Sequence, residues 1–348
     1  MKEIRLGKTG LMVSRVGMGG IPLTRPPLEK VIGFLHRALD MGVNFIDTAI
    51  GYSDSEKRIG RALEGRREEV YLATKTWASD KETALEHLEI SLDRLRTDYL
   101  DLWQFHGIMS MEQYEAIMGA GGAMEAAQEA VDNGRVRHIG FSSHSLSIAL
   151  QLVATDNFET VQFPFNFISH EAANELVPLA KKHDVGFIAM KPFAGGMIKD
   201  ANLAMKYLFQ YDNVLPDPGI ERISEIEEIV DIVNGSWELS QNQREKISQI
   251  QEETGTRFCR QCQYCMPCPQ NVLIHRVLYL QRLYELWPPE RFFSWNYVKE
   301  GVKSAENCIE CGVCEPKCPY QLPIREMIKE KMRFYREVSE RHPNLVEP

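Results

Sequence analysis

The sequence predicts a (β/α)8 TIM barrel followed by a smaller, mostly helical iron–sulfur domain. Three observations carry this prediction. Apolar, β-branched runs alternate with helical patterns as far as Gly235. Their ends recur at intervals of about 30 residues, which suits a barrel of about 250. All eight cysteines of the 348-residue chain lie beyond the barrel, in two tight runs.

A short hairpin is expected first, over 4–13, turning at Lys8-Thr9-Gly10. The candidate strands are then 15–20, 45–50, 70–76, 100–106, 137–142, 160–165, 185–191 and 214–218. Helical stretches such as 27–40, 81–96, 123–133 and 171–183 lie between them, with apolar residues at three- and four-residue steps. A doubly wound sheet is the competing architecture. It would show G-x-G-x-x-G after its first strand, but in Gly17-Met18-Gly19-Gly20-Ile21-Pro22 a proline stands where the third glycine belongs. Composition shifts after Gly235, so the domains are expected at 1–238 and 239–348. In the tail the pattern gives a polar helix over 242–253, an apolar stretch over 273–286 ended by Pro288-Pro289, an aromatic stretch over 292–297 and an amphipathic helix over 323–340.

The net charge of −9 and the lack of a basic stripe exclude a nucleic-acid binder. No run of about 18 apolar residues offers a membrane span. The start, Met1-Lys2-Glu3-Ile4-Arg5, has no apolar secretory core. A cytoplasmic protein is expected, and disulfides are disfavoured.

The first cysteine run is Cys259-x2-Cys262-x2-Cys265-x2-Cys268-Pro269, and the second is Cys308-x2-Cys311-x2-Cys314-x3-Cys318-Pro319. The second has the bacterial iron–sulfur spacing C-x2-C-x2-C-x3-C-P. Three closely spaced thiolates fit one face of a cubane cluster, so two [4Fe–4S] clusters are expected. Two four-cysteine zinc sites are the alternative, although zinc usually takes two C-x2-C pairs. In two-cluster ferredoxins the fourth cysteine of each run serves the other cluster. That pattern joins Cys318 to Cys259, Cys262 and Cys265, and Cys268 to Cys308, Cys311 and Cys314. The first run departs from it, with x2 rather than x3 before Cys268.

Barrel chemistry sits at the C-terminal strand ends. Asp47 and Lys75 are charges in otherwise apolar strands, where a charge needs a partner. With Tyr52 and His106 they fall at the ends of consecutive, hence neighbouring, strands. An ammonium beside a phenol lowers the phenol's pKa from its usual value of about 10. Tyr52 is then a proton donor to a carbonyl oxygen, Asp47 holds Lys75, and His106 orients the oxygen.

At these residues the chain resembles the aldo-keto reductases. The match runs through Asp47-x4-Tyr52, Thr74-Lys75 and Asp101-Leu102-Trp103-Gln104-Phe105-His106. It continues through Ile139-Gly140-Phe141-Ser142-Ser143, Gln162 to Asn166, Lys191-Pro192-Phe193-Ala194-Gly195-Gly196 and Pro218-Gly219. With the cysteine-rich tail, the whole resembles the ferredoxin-containing branch of that family. The resemblance implies NADP(H) or NAD(H) across the barrel mouth and a small carbonyl or alcohol substrate. It assigns Ser142, Ser143 and Gln162 to the carboxamide and backbone at Phe193, Gly195, Gly196, Gly219 and Ile220 to the phosphates. Glu228 is assigned to the adenine, and Gly20, Ile21, Asp47, Met190, Pro192 and Arg222 to further contacts. Lys191 is either a phosphate ligand or a strand-end ion pair. Ser143 replaces the family's usual Asn, Met190 stands where many members stack a Tyr, and Arg222 is the one cation near the expected 2′-phosphate site. His144 and His170 are expected as loop residues, His275 as polar packing, and Met109 and Met111 as loop packing.

Three functions fit: a nicotinamide-dependent carbonyl reductase braced by its clusters, an enzyme whose clusters exchange electrons with a redox partner protein, or a non-catalytic nicotinamide-binding redox sensor.

Overall fold

The computed structural model describes residues 1–255 and 257–345, and the chain divides into two compact units, Met1–Ile247 and Ser248–Pro348.

The first unit begins with an antiparallel pair, β1 (Glu3–Arg5) and β2 (Met12–Ser14), joined by a single 3-10 turn at Gly7–Thr9. Eight parallel strands follow: β3 (Met18–Gly19), β4 (Phe45–Asp47), β5 (Tyr71–Thr76), β6 (Leu100–Phe105), β7 (Val136–Ser142), β8 (Thr160–Pro164), β9 (Gly186–Met190) and β10 (Val214–Asp217). Each pairs with the next in chain order. The sheet closes where Gly17 N donates to Pro216 O at 2.9 Å and Gly19 N to Pro218 O at 2.8 Å. All eight expected strands are present, but β3 and β4 are shorter than their apolar runs.

The outer helices are α1 (Leu28–Asp40), α2 (Ser55–Ala62), α3 (Lys81–Leu95), α4 (Met111–Met118), α5 (Ala123–Asp132), α6 (Leu146–Val153), α7 (Leu176–Lys182), α8 (Ala201–Phe209) and α9 (Ile223–Asn234). The helix expected over 171–183 is split into a 3-10 turn at Glu171–Ala173 and α7. Side-chain oxygens of Asp80, Ser110, Ser145 and Asp200 accept backbone N–H bonds at the starts of α3, α4, α6 and α8, satisfying donors the first turn leaves open.

The hairpin plugs the strand-start end of the barrel. Its Ile4, Leu6 and Val13 pack with Phe45, Ala73, Leu102, Ile188 and Leu215 in one buried cluster. Gly7 makes this possible: it sits at φ +54, and a Cβ there would lie 2.1 Å from the backbone N of Gly186. The strands finish at the opposite end, where the chemistry of such barrels sits.

In the second unit, helix α10 (Gln241–Gly255) enters from the first, and α11 (Ile274–Val277), α12 (Leu280–Leu286), α13 (Pro289–Ser294), α14 (Asn296–Ala305) and α15 (Ile324–Arg341) follow. The stretch expected over 273–286 is two short helices rather than one. Val277, Leu280, Phe292, Val298 and Ile324 form the centre of a buried core, with Cys259, Cys265, Cys268, Cys308 and Cys314 packed at its edge. Beyond the core, the loops carrying the cysteines supply the rest of this unit.

Two glycines in exposed-looking helices are opposites in packing. In α2, a Cβ on Gly60 would lie 2.4 Å from Arg94 O and 2.7 Å from the Leu95 Cα, so α2 rests backbone to backbone on the end of α3. Gly33 in α1 has nothing within 4 Å of that position. Gly60→Ala is expected to destabilise the barrel by about 1–3 kcal/mol through overpacking. Gly33→Ala is expected to stabilise it by about 0.5–1 kcal/mol. Denaturant unfolding of the two variants, followed on the barrel transition, checks the opposite signs.

Candidate active site and cysteine clusters

The free end of the barrel gathers the polar strand ends. Asp47 ends β4 and Lys75 lies in β5, both almost wholly buried. Lys75 Nζ donates to Asp47 Oδ2 at 2.5 Å and to Thr48 O at 2.7 Å. Gln104, from β6, donates to Asp47 Oδ1 at 3.0 Å, and Gln162, from β8, donates to Asp47 Oδ2 at 3.0 Å. Four strands thus converge on one carboxylate.

Tyr52 sits in the turn after β4, fixed by Tyr52 N to Ala49 O at 2.9 Å. Its ring centroid lies 5.1 Å from Lys75 Nζ, and it meets the His106 ring edge to face, with centroids 5.6 Å apart. His106 follows β6 directly and is held by its N–H to Thr76 O at 2.7 Å. All four residues expected from the sequence are brought together.

The electrostatics differ from expectation in one respect. Burial, the largest influence, raises the Tyr52 phenol above its usual range, and Lys75 only partly reverses this because Asp47 and Asp217 push the same way as burial. The phenol is therefore not lowered as an isolated Lys–Tyr pair would suggest; it stays protonated well beyond neutral pH. For Lys75, burial opposes the charged form, but the Asp47 carboxylate, by its charge and its hydrogen bond, is the main counterweight; the pKa is raised and the ammonium persists. Burial, with Lys75 adding to it, lowers His106 to about 3. The imidazole is neutral throughout the physiological range. The site so holds a charged lysine, a protonated phenol and a neutral histidine around one mouth.

The remaining sequence-picked residues fall into two groups. Ser142 and Gln162 are side by side on β7 and β8, but each side chain has a partner: Ser142 Oγ accepts from Gly107 N at 2.8 Å, and Gln162 serves Asp47. Ser143 Oγ donates to Ile108 O at 2.7 Å and accepts from Ser145 N at 3.0 Å, so it holds the adjoining loop. Met190 ends β9, half-buried. After it Lys191, Ala194, Gly195 and Gly196 adopt left-handed φ of 57, 49, 66 and 91 around Pro192 and Phe193. Such turned backbone forms a concavity suited to an anion, which fits the phosphates of a dinucleotide.

On the closing seam, Gly20 N donates to Asp47 O at 2.6 Å, and a Cβ on Gly219 would strike Pro22 at 2.5 Å. Ile220 is buried and Ile21 is exposed. Arg222 begins α9 and is tied to Glu225 at 2.5 Å, while Glu228 lies exposed on the same helix. Arg222 is not the sole cation of this region, because Arg25 comes from the loop after β3 to bond Glu221. That contact joins residues far apart in sequence and has no local signal.

Sequence reasoning assigned no role to Gln104 or Asp217. Gln104 is a polar residue inside an apolar strand, the same signal that singled out Asp47. Asp217 shows the same signal within the expected strand 214–218, but standing between Pro216 and Pro218 it drew no role. The structure makes it the last residue of β10, almost wholly buried.

In the second unit, burial comes first in pushing the Cys265 thiol up to about 12, followed by the charges of Cys259, Cys262 and Cys318. Cys314 is likewise raised, by burial first, with Cys268 and Cys308 among its near charges. A recess is lined by Cys268, Cys308, Cys311 and Cys314. The two groups cross between the runs. Gln261, Gln263 and Glu310 take left-handed φ of 62, 63 and 57 between the cysteines, as does Gly312 at 77. Non-glycine residues enter that region at a cost, and here they turn successive cysteines to one side. Partly buried thiols crowded in this way stay ionised only against strong positive charge, which fits cluster iron. His275 is lowered to about 4, chiefly by burial, and packs near Tyr297 as a polar core residue.

Comparison with known proteins agrees with both units. A model of the aldo/keto reductase family matches residues 15–257, and one of the 4Fe-4S dicluster domain matches residues 258–323. The aldo-keto reductase YhdN of Bacillus subtilis (strain 168) is 30% identical over 233 residues, 62% of this chain and 68% of its own length. An uncharacterized oxidoreductase of the same organism, YqkF, is 29% identical over 217 residues, 58% of this chain and 68% of its own. Among solved structures, the holo form of aldo-keto reductase AKR11C1 from Bacillus halodurans is 25% identical, with 72% of this chain and 96% of that one superposed at a TM-score of 0.63. An aldo/keto reductase from Klebsiella pneumoniae in complex with NADP and acetate, 22% identical, shares the fold at a TM-score of 0.62 over 72% and 95% of the two chains. The chain thus belongs to the aldo/keto reductases and carries a C-terminal 4Fe-4S dicluster domain.

Proposed function

We propose that the barrel interconverts a small aldehyde or ketone and its alcohol, with Tyr52 as the proton donor. The observation that carries this reading is the convergence of Tyr52, His106 and the Lys75–Asp47 ion pair at one strand-end mouth, with the Lys75 Nζ 5.1 Å from the Tyr52 ring. When bound, a nicotinamide cofactor supplies or removes the hydride; Ser142, Ser143 and Gln162 are its candidate carboxamide contacts, and the backbone at Phe193–Gly196 and Gly219–Ile220 its candidate phosphate contacts. The structural relative from Klebsiella pneumoniae holds NADP, in keeping with this reading.

The chain's own residues manage the proton. A carbonyl oxygen at the mouth gains negative charge as it is reduced. Tyr52, protonated at neutral pH, gives it a proton. Lys75 favours the phenolate left behind, and Asp47 keeps that ammonium in place. His106, neutral, offers a ring N–H to the same oxygen without adding charge. In the oxidising direction Tyr52 receives the proton.

Tyr52→Phe is expected to retain nicotinamide binding, measured by fluorescence titration, and to slow carbonyl reduction by at least ~10²-fold, the usual scale of lost acid–base catalysis. Near-normal turnover would sink the donor assignment. Lys75→Met has a predictable sign. Lys75 draws the Tyr52 pKa down, so without it the phenol loses its proton at higher pH. The alkaline limb of the reduction profile should therefore move to higher pH. A limb that stays in place leaves Lys75 with a structural role alone.

Discrimination between NADPH and NADH is expected to be loose. Arg222 is neutralised by Glu225 and Arg25 by Glu221, which leaves little free positive charge for a 2′-phosphate dianion. A preference for NADPH above ~10³-fold, about 4 kcal/mol, in titration of the two cofactors would contradict this.

In the tail, we propose that Cys259, Cys262, Cys265 and Cys318 hold one [4Fe–4S] cluster and Cys308, Cys311, Cys314 and Cys268 the other. Each cluster supplies a one-electron couple and ties both runs into one folded unit. Anaerobic iron and sulfide analysis should give about eight irons per chain. By electron paramagnetic resonance, Cys318→Ser should lose the same signal as Cys259→Ser, and Cys268→Ser the same as Cys308→Ser. Loss along the runs instead, with Cys268 grouping with Cys259, would overturn the crossed arrangement.

A further inference from the structure

Asp217 is a second carboxyl group in the core of the candidate site, and the tetrad chemistry makes no use of it. It ends β10 at the closing seam, 5% exposed. Two glycines leave room for it: a Cβ on Gly17 would come 3.3 Å from its Oδ1, and one on Gly19 3.3 Å from its Oδ2. Oδ2 accepts a bond from Gln162 Nε2 at 3.3 Å, and the same Nε2 lies 3.0 Å from Asp47 Oδ2. Oδ1 is buried with no protein donor. The one amide nitrogen shared between them sets the Asp217 and Asp47 carboxyl groups side by side.

We propose that Asp217 is a positioning residue that closes a carboxyl–carboxylate hydrogen bond onto Asp47, fixing the buried charge of the site at one carboxylate against one ammonium. The argument is one of charge count. Asp47 already accepts from Lys75, Gln104 and Gln162. A second ionised carboxylate beside it would be buried with a shared amide donor and only one cation, Lys75, within reach, and two carboxylates at such a distance do not both ionise. With its proton in place, Asp217 donates to Asp47 and its second oxygen accepts from Gln162. Burial first, and then the Asp47 charge, hold the Asp217 proton far above the usual carboxylate range, although Lys75 and Gln162 oppose this. Every group facing it agrees with that count. Asp47 comes from β4, Lys75 from β5, Tyr52 from the turn after β4 and the neutral Gln162 from β8, while β3 offers only Gly17 and Gly19. The consequence for Tyr52 is direct, because an ionised Asp217 would push the phenol's pKa further up and weaken the pull of Lys75.

The inference rests on the proposed role of Tyr52 for its kinetic readout, but its spectroscopic readout is independent of turnover. Infrared difference spectroscopy of the anaerobically purified holoprotein at neutral pH should show the carbonyl stretch of a protonated carboxylic acid, and that band should vanish in Asp217→Asn. Asp217→Leu, which keeps the bulk and removes the donor, should lower kcat by about tenfold or more, the scale of one pKa unit, and displace the pH profile. Asp217→Asn, whose amide donates to Asp47 in place of the acid, should recover most of that loss. Stability gives a second check. A raised carboxyl pKa takes stability away as pH climbs above the unfolded value of about 3.9, so the melting temperature of Asp217→Asn should gain on the wild type as pH rises from 4 to 8. A missing band at neutral pH overturns the proposal. So does an Asp217→Leu enzyme with wild-type kcat and pH profile. If no carbonyl is reduced at all, the band and the melting curves still decide the protonation of Asp217, and only the assignment of Tyr52 falls.

Discussion

The buried ion pair of Lys75 and Asp47 is the constraint around which the barrel's open end is arranged. A lysine 1% exposed and an aspartate 2% exposed are tolerable inside a protein only when the charges meet and every remaining lone pair and N–H is used. Losing one partner of such a pair typically costs about 3–5 kcal/mol, because the other is left as an uncompensated charge. The surroundings follow from that requirement. Thr48 O takes a second ammonium hydrogen, and Gln104 and Gln162 take two more of the lone pairs of Asp47. Glycines at the seam let β3 and β10 come close enough to place Asp217 beside them. Lys75 then presents its charge toward Tyr52 without any freedom to move away.

That rigidity also explains the protonation pattern. The same burial that makes the ion pair obligatory raises the phenol of Tyr52 and lowers the imidazole of His106. A protonated phenol and a neutral imidazole therefore stand together at one mouth across the physiological range, although in water the imidazole titrates near neutrality. The lysine tempers the phenol rather than ionising it. A donor needs that balance, since a phenol held as phenolate has nothing to give.

Much of this was legible in the sequence because it follows short-range rules. The strands show as β-branched runs, and their spacing gives the barrel. Asp47 and Lys75 stand out as charges in apolar strands, and the cysteine runs declare themselves by spacing. What stayed hidden depends on contacts between residues far apart. The shift of the Tyr52 pKa sums the desolvation of its own ring and three neighbours, Lys75, Asp47 and Asp217, and sequence identifies only the lysine. Arg25 reaches Glu221 across nearly two hundred residues. Asp217 falls in the expected strand 214–218, but only barrel closure brings it beside Gln162 and Asp47. The glycines of Gly17-Met18-Gly19-Gly20 could be excluded from a dinucleotide motif by pattern, but their purpose shows only against Asp217, Asp47 and the backbone of β10.

The two units differ in the electrons they can handle, and this limits how their chemistries combine. Hydride transfer moves two electrons together, whereas an iron–sulfur centre passes one at a time. The barrel's tetrad moves protons and orients an oxygen; none of Asp47, Tyr52, Lys75 and His106 in the arrangement observed is a group that splits an electron pair. The barrel sequence also contains no cysteine, all eight being in the tail. The carbonyl reduction proposed for the mouth would balance in atoms and electrons with a nicotinamide and a proton from Tyr52, without the clusters. The clusters proposed for the tail would have a separate physical task. The cysteine runs are loops with left-handed residues and little helix, packed at the rim of a small core, and loops of this kind keep one shape only when something ties their side chains together.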